Sequence, residues 1–297
     1  MNILGRKFIG ACVAITIGSY AFLIEPRWVE VTYHKWIDKE CGLCAFLFTP
    51  YWTQVDGYKD GYKNRFGESP FRFVQLSDLH LHQIGMTEDS VINKVNELAP
   101  DVLFLTGDIA DRPESLSILD SFLSRLKVAQ KVAILGNWEY WGGVDLIALK
   151  ALYERHNVKL LVNECVQVPI RQTFVNVAGL DDDTAGKPDH VAMNAKCPTY
   201  PGQTLQVPKS NSYILMQHSP GYFAQPRQSE GSSILRLSGH THGGQVAIFG
   251  YPILTPPGSG NFTRGWYGNL YVSRGVGTSV LPVRFGSRPE IAVFEWL

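Results

Sequence analysis

From residue 71 onward the hydrophobic period switches between that of a strand and that of a helix. Phe71-Arg-Phe-Val-Gln-Leu76, Val102-Leu-Phe-Leu-Thr106 and Val132-Ala-Ile-Leu135 are short runs rich in β-branched, aromatic and other apolar residues, as buried strands are. Between the first two, Val91, Ile92, Val95 and Leu98 share one helical face behind a candidate N-cap at Thr87, and Pro100 stops the helix. Leu116, Leu119, Phe122, Leu123 and Leu126 form the next stripe, and Val144 to Tyr153 reads as a further helix. Strand followed by helix, repeated, predicts βαβ units and a mainly parallel, buried sheet. Beyond Val158 the runs turn short and β-rich: Val166–Ile170, Thr173–Ala178, Tyr213–Met216, Ser233–Leu237, Gln245–Phe249, Asn269–Ser273 and Ile291–Phe294. Gly, Pro and Asp clusters separate them. Two sheets packed face to face, with helices outside, fit this order. The polar stretch from Asp181 to Ser210 reads as a loop that could cover a site. No solenoid-like repeat recurs.

The N-terminus follows another pattern. Arg6 and Lys7 precede an uncharged run from Phe8 to Ile24, which is 17 residues, the short edge of the about 17–25 that span a bilayer. A signal anchor is the leading reading. Its rivals are a cleaved signal peptide, with Ser19-Tyr20-Ala21 as a weak small-x-small site, and a buried helix of a soluble domain. Positive charge ahead of the run favours a domain outside the cytoplasm, a bias thinned by Arg27, Lys35 and Lys39 just after it. Gly42 to Trp52 is apolar but too short to span, and suits a membrane interface or core packing equally. Cys41-Gly-Leu-Cys44 is a lone C-x-x-C. With Cys165 and Cys197 it could complete a zinc site; an exported domain would favour disulfides, and buried thiols are the default.

Composition removes whole classes of function. Lys plus Arg and Asp plus Glu are both 27 in 297 residues, so the net charge is zero and no nucleic-acid partner is expected. A charged fraction of 18% beside 45% hydrophobic residues permits a large core and excludes a disordered chain. The 28 Gly and 17 Pro point to many structured loops, where sites tend to lie.

The candidate chemistry sits at strand ends. Ser77-Asp78-Leu79-His80 follows the first strand, Gly107-Asp108-Ile109-Ala110-Asp111 the second and Gly136-Asn137-Trp138-Glu139 the third. Asp78 and Asp108 are 30 residues apart, and Asp108 and Asn137 are 29 apart, about one βαβ unit each. That spacing brings all three clusters to the carboxyl edge of neighbouring parallel strands, where open α/β sheets bind ligands. His218 follows a later strand, and His240 and His242 sit in Ser-Gly-His-Thr-His-Gly-Gly. The mixed nitrogen and oxygen donors suit two divalent ions such as Mn, Fe or Zn. No G-x-S-x-G, P-loop or dinucleotide fingerprint competes.

The order D-x-H, G-D-x-x-D, G-N-x-E, then H and G-H-x-H resembles the calcineurin-like metallophosphoesterase family over residues 71–297. The resemblance implies an α/β fold, an αββα sandwich of two packed mixed β-sheets flanked by helices; the N-terminal run, outside the resemblance, would add a membrane-anchor helix. Residues 1–24 would be the anchor, 25–70 a membrane-proximal linker and 71–297 the metallophosphoesterase domain. Carried over, Asp78, His80 and His242 would hold one metal, Asn137, His218 and His240 the other, and Asp108 would bridge them. Two cations about 3.5–4 Å apart clamp phosphoryl oxygens and acidify a bridging water, whose hydroxide attacks phosphorus in line. Asp108 and Asn137 would thus serve the chemistry directly.

The family's third motif usually reads Gly-Asn-His; here the His position is Trp138, which cannot act as a general acid. That favours substrates with a good leaving group, as in the UDP-diacylglucosamine pyrophosphatases of lipid A synthesis, which resemble this family and also lack the His. His82 could supply the proton instead, or be a surface or supporting residue. Asn137, Trp138, Arg274 and Arg284 are candidate substrate contacts, although the two arginines could equally pair with carboxylates. The tail Tyr271-Val-Ser-Arg-Gly-Val-Gly277 to Phe285 looks like the membrane-associated bacterial branch. The expected partners are therefore a phosphate-containing, lipid-linked substrate and, through the N-terminus, the bacterial cytoplasmic membrane. The side of the membrane is left open. A soluble-substrate envelope phosphodiesterase and a metal-bound regulatory protein are the alternatives.

Overall fold

The computed structural model describes residues 13–37, 51–55, 69–197, 213–224 and 233–296. Its first sheet is built from β1 (Glu30–Ile37), β2 (Tyr51–Gln54), β3 (Phe71–Leu76), β4 (Val102–Thr106), β5 (Gln130–Ile134) and β6 (Val158–Leu161). The second holds β7 (Glu164–Ile170), β8 (Thr173–Gly179), β9 (Tyr213–Met216) and β10 (Ser233–Ser238). A small hairpin of β11 (Ala247–Ile248) and β12 (Tyr251–Pro252) follows. The second sheet is completed by β13 (Gly265–Tyr267) and β14 (Leu270–Val272), and the chain then returns to the first as β15 (Glu290–Trp296). The strand orders are β2-β1-β15-β3-β4-β5-β6 and β13-β14-β10-β9-β8-β7. β3 to β6 run parallel and β15 runs antiparallel to β3, so the sheet is mixed.

Strand parity sets the layers, because successive side chains point to opposite faces. Phe73, Phe104, Val132 and Ile134 face Val177, Ile214, Met216 and Leu237 of the second sheet and form the middle of the sandwich. Their neighbours Val74, Leu76, Leu103, Leu105 and Ala133 face outward and are covered by three helices, α1 (Met86–Leu98), α2 (Ser115–Ser124) and, beyond a one-turn α3 (Asn137–Trp141), α4 (Leu146–Arg155). On the far face of the second sheet, Ala178 and Leu215 pack with Met193 of α5 (His190–Ala195).

Several expectations are corrected. Residues 25–70 are not only a linker: β1 pairs with β15 and β2 with β1, so both extend the first sheet. Gly85, not Thr87, caps α1, with Glu88 accepting from the Gly85 amide at 2.8 Å. The strand expected at Gln245–Phe249 shrinks to Ala247–Ile248 because a hairpin reverses the chain there. Cys165 and Cys197 are joined in a disulfide rather than being free thiols, while Cys41 and Cys44 lie outside the described residues, as do 42–50 of the apolar segment. Of the N-terminal run, residues 13–24 are helical. Among the described residues no helix is long and apolar enough to cross a membrane.

Candidate metal centre

The carboxyl ends of β3, β4 and β5 deliver Asp78, Asp108 and Asn137 side by side, and the loops after β9 and β10 bring His218, His240 and His242 over them. All six, with His80, are buried. Asp78, His80 and His242 offer donor atoms within 4.8 Å of one another, and so do Asp108, His218 and His240. Asn137 joins the second group, its Oδ1 lying 2.8 Å from His240 Nδ1.

The backbone is bent for this purpose. Asp78, His80, Asp108, His240 and His242 all have φ between 45° and 72°, a region costly for residues with a Cβ. The turns are held by their neighbours. Glu139, itself buried, accepts from the amides of Asp108, Ile109 and Ala110 at 3.1, 2.7 and 3.1 Å and from Gly136 at 2.8 Å. One carboxylate thereby ties the β4 loop to the β5 loop. Burial, and then the charge of Asp108, push its pKa up to about 7. The Trp138 amide donates to Asp108 Oδ1 at 2.8 Å. Gly136 has no room for a side chain, since a Cβ there would stand 2.3 Å from Asp108 Oδ1.

The imidazoles show what the cavity is shaped to hold. His218 Nδ1 lies 2.7 Å from the Thr106 carbonyl, and His240 Nε2 lies against the Pro257 carbonyl at 2.6 Å. A carbonyl only accepts, so each of these nitrogens carries the proton. The other nitrogen of each neutral ring is then a bare lone pair. His218 Nε2 points at Asp108 Oδ2, 3.1 Å away, and has no hydrogen-bond partner. His240 Nδ1 points at Asn137 Oδ1. Buried acceptors aimed at acceptors repel each other unless a cation lies between them. The partners on the outer nitrogens are the sort that orient metal-bound histidines. Two divalent ions fit this donor set.

Electrostatics support the same conclusion. Burial raises the Asp78 pKa, and burial lowers that of His242, with His80 adding to the effect. Burial would lower the His218 pKa too, but Asp108 and Asp78 outweigh it and lift it well above the usual value, so the space between His218 Nε2 and Asp108 draws a cation, whether a proton or a metal ion.

The supporting residues take definite places. Asp111 Oδ2 sits 2.7 Å from His82 Nε2 and 3.4 Å from His80 Nδ1. His82 is half-exposed and also meets Arg112, at 2.8 Å. Trp138 is half-buried, its ring edge-on to those of His80 and the exposed Trp141, at 6.0 Å from each. Asp181 and Asp182, at the start of the polar stretch that reads as a loop, are buried. Tyr140 donates to Asp181 Oδ1 at 2.6 Å, and Ser219 Oγ to Asp182 Oδ1 at 2.6 Å.

Arg274 and Arg284 require correction as substrate contacts. Arg274 pairs with Glu30 and Glu290 at 2.8 and 3.0 Å. Arg284 is fully buried, and its guanidinium donates to the carbonyls of Gly277, Ser287 and Arg274. It lies against His242, 3.4 Å from Nδ1. Sequence reasoning missed the Thr106 and Pro257 carbonyls, since backbone acceptors leave no trace in residue type.

The profile of the calcineurin-like phosphoesterase family matches residues 71–244. The chain is 33% identical to an uncharacterized metallophosphoesterase, YkuE, of Bacillus subtilis, over 96% of this chain and 92% of that protein. It is 32% identical to one from Aquifex aeolicus, over 75% and 83%. It is 29% identical to a zebrafish (Danio rerio) transmembrane protein with a metallophosphoesterase domain, over 74% of this chain and 52% of that one. The spacing of the strand-end motifs and the paired Asp/His clusters thus have their explanation: the chain belongs to the calcineurin-like phosphoesterase family and is a metal-dependent hydrolase of phosphoester bonds.

Proposed function

We propose that this enzyme cleaves a phosphate ester or pyrophosphate in a lipid-linked substrate at the bacterial cytoplasmic membrane, with UDP-diacylglucosamine of lipid A synthesis as the type substrate. The observation that carries the reading is Trp138. Its ring stands against His80 at the position where the family motif usually reads His, so the position offers an N–H and an aromatic face but no proton for a departing alkoxide. A leaving phosphate needs little help.

In this reading Asp78, His80 and His242 would hold one ion and Asn137, His218 and His240 the second, with Asp108 available to both. Divalent ions there would supply charge for the phosphoryl oxygens and an acidified water. Asn137 and Trp138 border the space a phosphate would enter. Glu139 keeps the Asp108 and Asn137 loops in register. His82, held by Asp111, is the alternative proton donor. The uncharged run Phe8–Ile24 and the membrane protein among the relatives support the lipid part.

The disulfide between Cys165 and Cys197 favours a second reading, because such bonds persist in oxidising compartments. UDP-diacylglucosamine is cleaved in the cytoplasm. A domain outside the membrane would instead act on an envelope phosphodiester.

Full-length enzyme with Mn is to be compared on UDP-diacylglucosamine in mixed micelles and on a plain alkyl phosphodiester. Faster turnover of the nucleotide lipid is expected. Trp138→His should raise the alkyl diester rate by about ten-fold or more and the other far less. A parent enzyme that prefers the alkyl diester rejects the leaving-group argument. Inactivity on both points to the regulatory alternative.

A further inference from the structure

The loop that carries His240 and His242 runs directly into an uncovered apolar surface. From Gly243 to Thr263 there is no charged residue. Within that stretch the β11–β12 hairpin puts Phe249 at its tip, 96% exposed, with Tyr251 and Leu254 each 79% exposed. Val280 and Leu281, at 88% and 58%, are exposed on a second loop. Single exposed apolar residues need no explanation, but this many together do.

The two loops are one unit. Gln245 Nε2 donates to the carbonyls of Ser279 and Leu281 at 3.1 and 2.9 Å. The Phe285 amide donates to the Gln245 carbonyl and the Ala247 amide to the Phe285 carbonyl. The N-terminal helix joins the same surface. A cavity of about 860 Å³ separates it from the hairpin, lined among others by Ile17, Tyr20, Ile248 and Phe249. Ile15, Leu23 and Ile24 of that helix are also exposed.

Charge identifies the occupant. Between Gly231 and Pro289 there is no Asp or Glu, and Arg264 and Arg288 line the cavity, whereas Arg274 there is paired with Glu30 and Glu290 and Arg284 is buried. Trp28, under the Arg288 guanidinium at 3.8 Å, is a residue suited to a lipid headgroup region. Glu25 and Glu30, which also line the cavity, are taken up by the Ser287 amide and Arg274, so an apolar tip, flanking aromatics and the two remaining arginines match an anionic bilayer. Lipid rather than a protein partner is favoured because the described end of the uncharged run Phe8–Ile24 borders the same cavity.

We infer that the hairpin at 247–254 and the loop at 278–282 form a lipid-contacting rim, which seats the metal centre on an anionic membrane surface. The inference goes beyond the N-terminal tether, because the rim lies next to His242 and fixes which face of the domain meets the lipid. It does not depend on which substrate is cleaved.

The test uses full-length protein on vesicles of phosphatidylcholine with a minority of phosphatidylglycerol. In Phe249→Trp, the emission added over the parent should be blue-shifted and quenched by brominated lipid, not by iodide. Added emission that is red, iodide-quenched and blind to brominated lipid overturns the inference. So does an unquenched tip in protein that sediments as a dimer, which would make a second copy the occupant. As a second measurement, Phe249→Asp with Leu254→Asp should slow turnover of a vesicle-embedded substrate about ten-fold, given two apolar side chains withdrawn from lipid. The same variant should leave turnover of a water-soluble nitrophenyl phosphodiester unchanged. Equal rates of variant and parent on both substrates overturn the inference. If the parent acts on neither, the proposed activity fails, and the quenching experiment still decides the rim.

Discussion

Asp108 and Asp111 are three positions apart, yet their surroundings predict different losses. Asp108 lies within 3.1 Å of His218 and 3.8 Å of His80, one imidazole from each cluster. Asp111 reaches His80 of one cluster and no imidazole of the other, its remaining contacts being His82, Arg112 and Ser115. Burial alone would raise the Asp111 pKa, but contacts with the two imidazoles hold it below the carboxylate range. Asp108→Ala should therefore abolish binding of both ions and all activity. Asp111→Asn should keep two sites and weaken the one that uses His80 by about 10–100-fold, the usual cost of losing an orienting partner. Metal titration followed by elemental analysis separates the two; equal loss in both variants would show Asp108 to be no bridge. At this scale the donor set was legible, because Asp78, Asp108 and Asn137 follow strands at a regular interval and the later histidines also stand just beyond strand-like runs. The outer partners of His218 and His240 were not, since Thr106 and Pro257 contribute only carbonyls.

Among the elements, β3 to β5 and their helices could be read to within a few residues, because their hydrophobic runs are long and bounded. β1 could not. Two of its buried side chains are the polar Thr32 and His34, which disguise the alternation. They are buried because a chain of hydrogen bonds satisfies them. Trp266 Nε1 donates to His34 Nδ1 at 3.1 Å, His34 Nε2 lies 3.1 Å from Thr32 Oγ1, and Thr32 donates to Glu290 at 2.8 Å. Burial, partly offset by Glu290, lowers the His34 pKa to about 4. The folded state thus binds this proton less tightly than the unfolded chain, whose His titrates near 6.5. The stabilisation is complete above pH 6.5 and is lost as pH falls toward 4, by about 3 kcal/mol for a shift of this size. His34→Phe should flatten that slope. Urea unfolding of both proteins across this pH window measures the difference, and parallel slopes would show that His34 is not the titrating group.

At the scale of the whole molecule, the N-terminus serves the site as well as any membrane. The Arg284 amide donates to the Ala21 carbonyl at 3.0 Å, and the Ser287 amide to Glu25 Oε1 at 2.7 Å. Ser287 Oγ in turn donates to the His242 carbonyl at 2.7 Å. Deleting residues 1–18 should release much of the protein from membranes without loss of metal. Deleting 1–28 should also weaken the His242 site, by about ten-fold in metal affinity. Fractionation together with metal titration of the two truncations checks this; identical affinities would separate the helix from the site. The position of β15 between β1 and β3 has a consequence for biosynthesis. All the candidate ligands are translated by residue 242, but the strand that closes their sheet, Glu290–Trp296, is translated only after them. Until then β1 has no link to β3, and β3 presents a bare hydrogen-bonding edge. A nascent chain stalled short of Glu290 would carry its metal ligands and an aggregation-prone sheet at the same time.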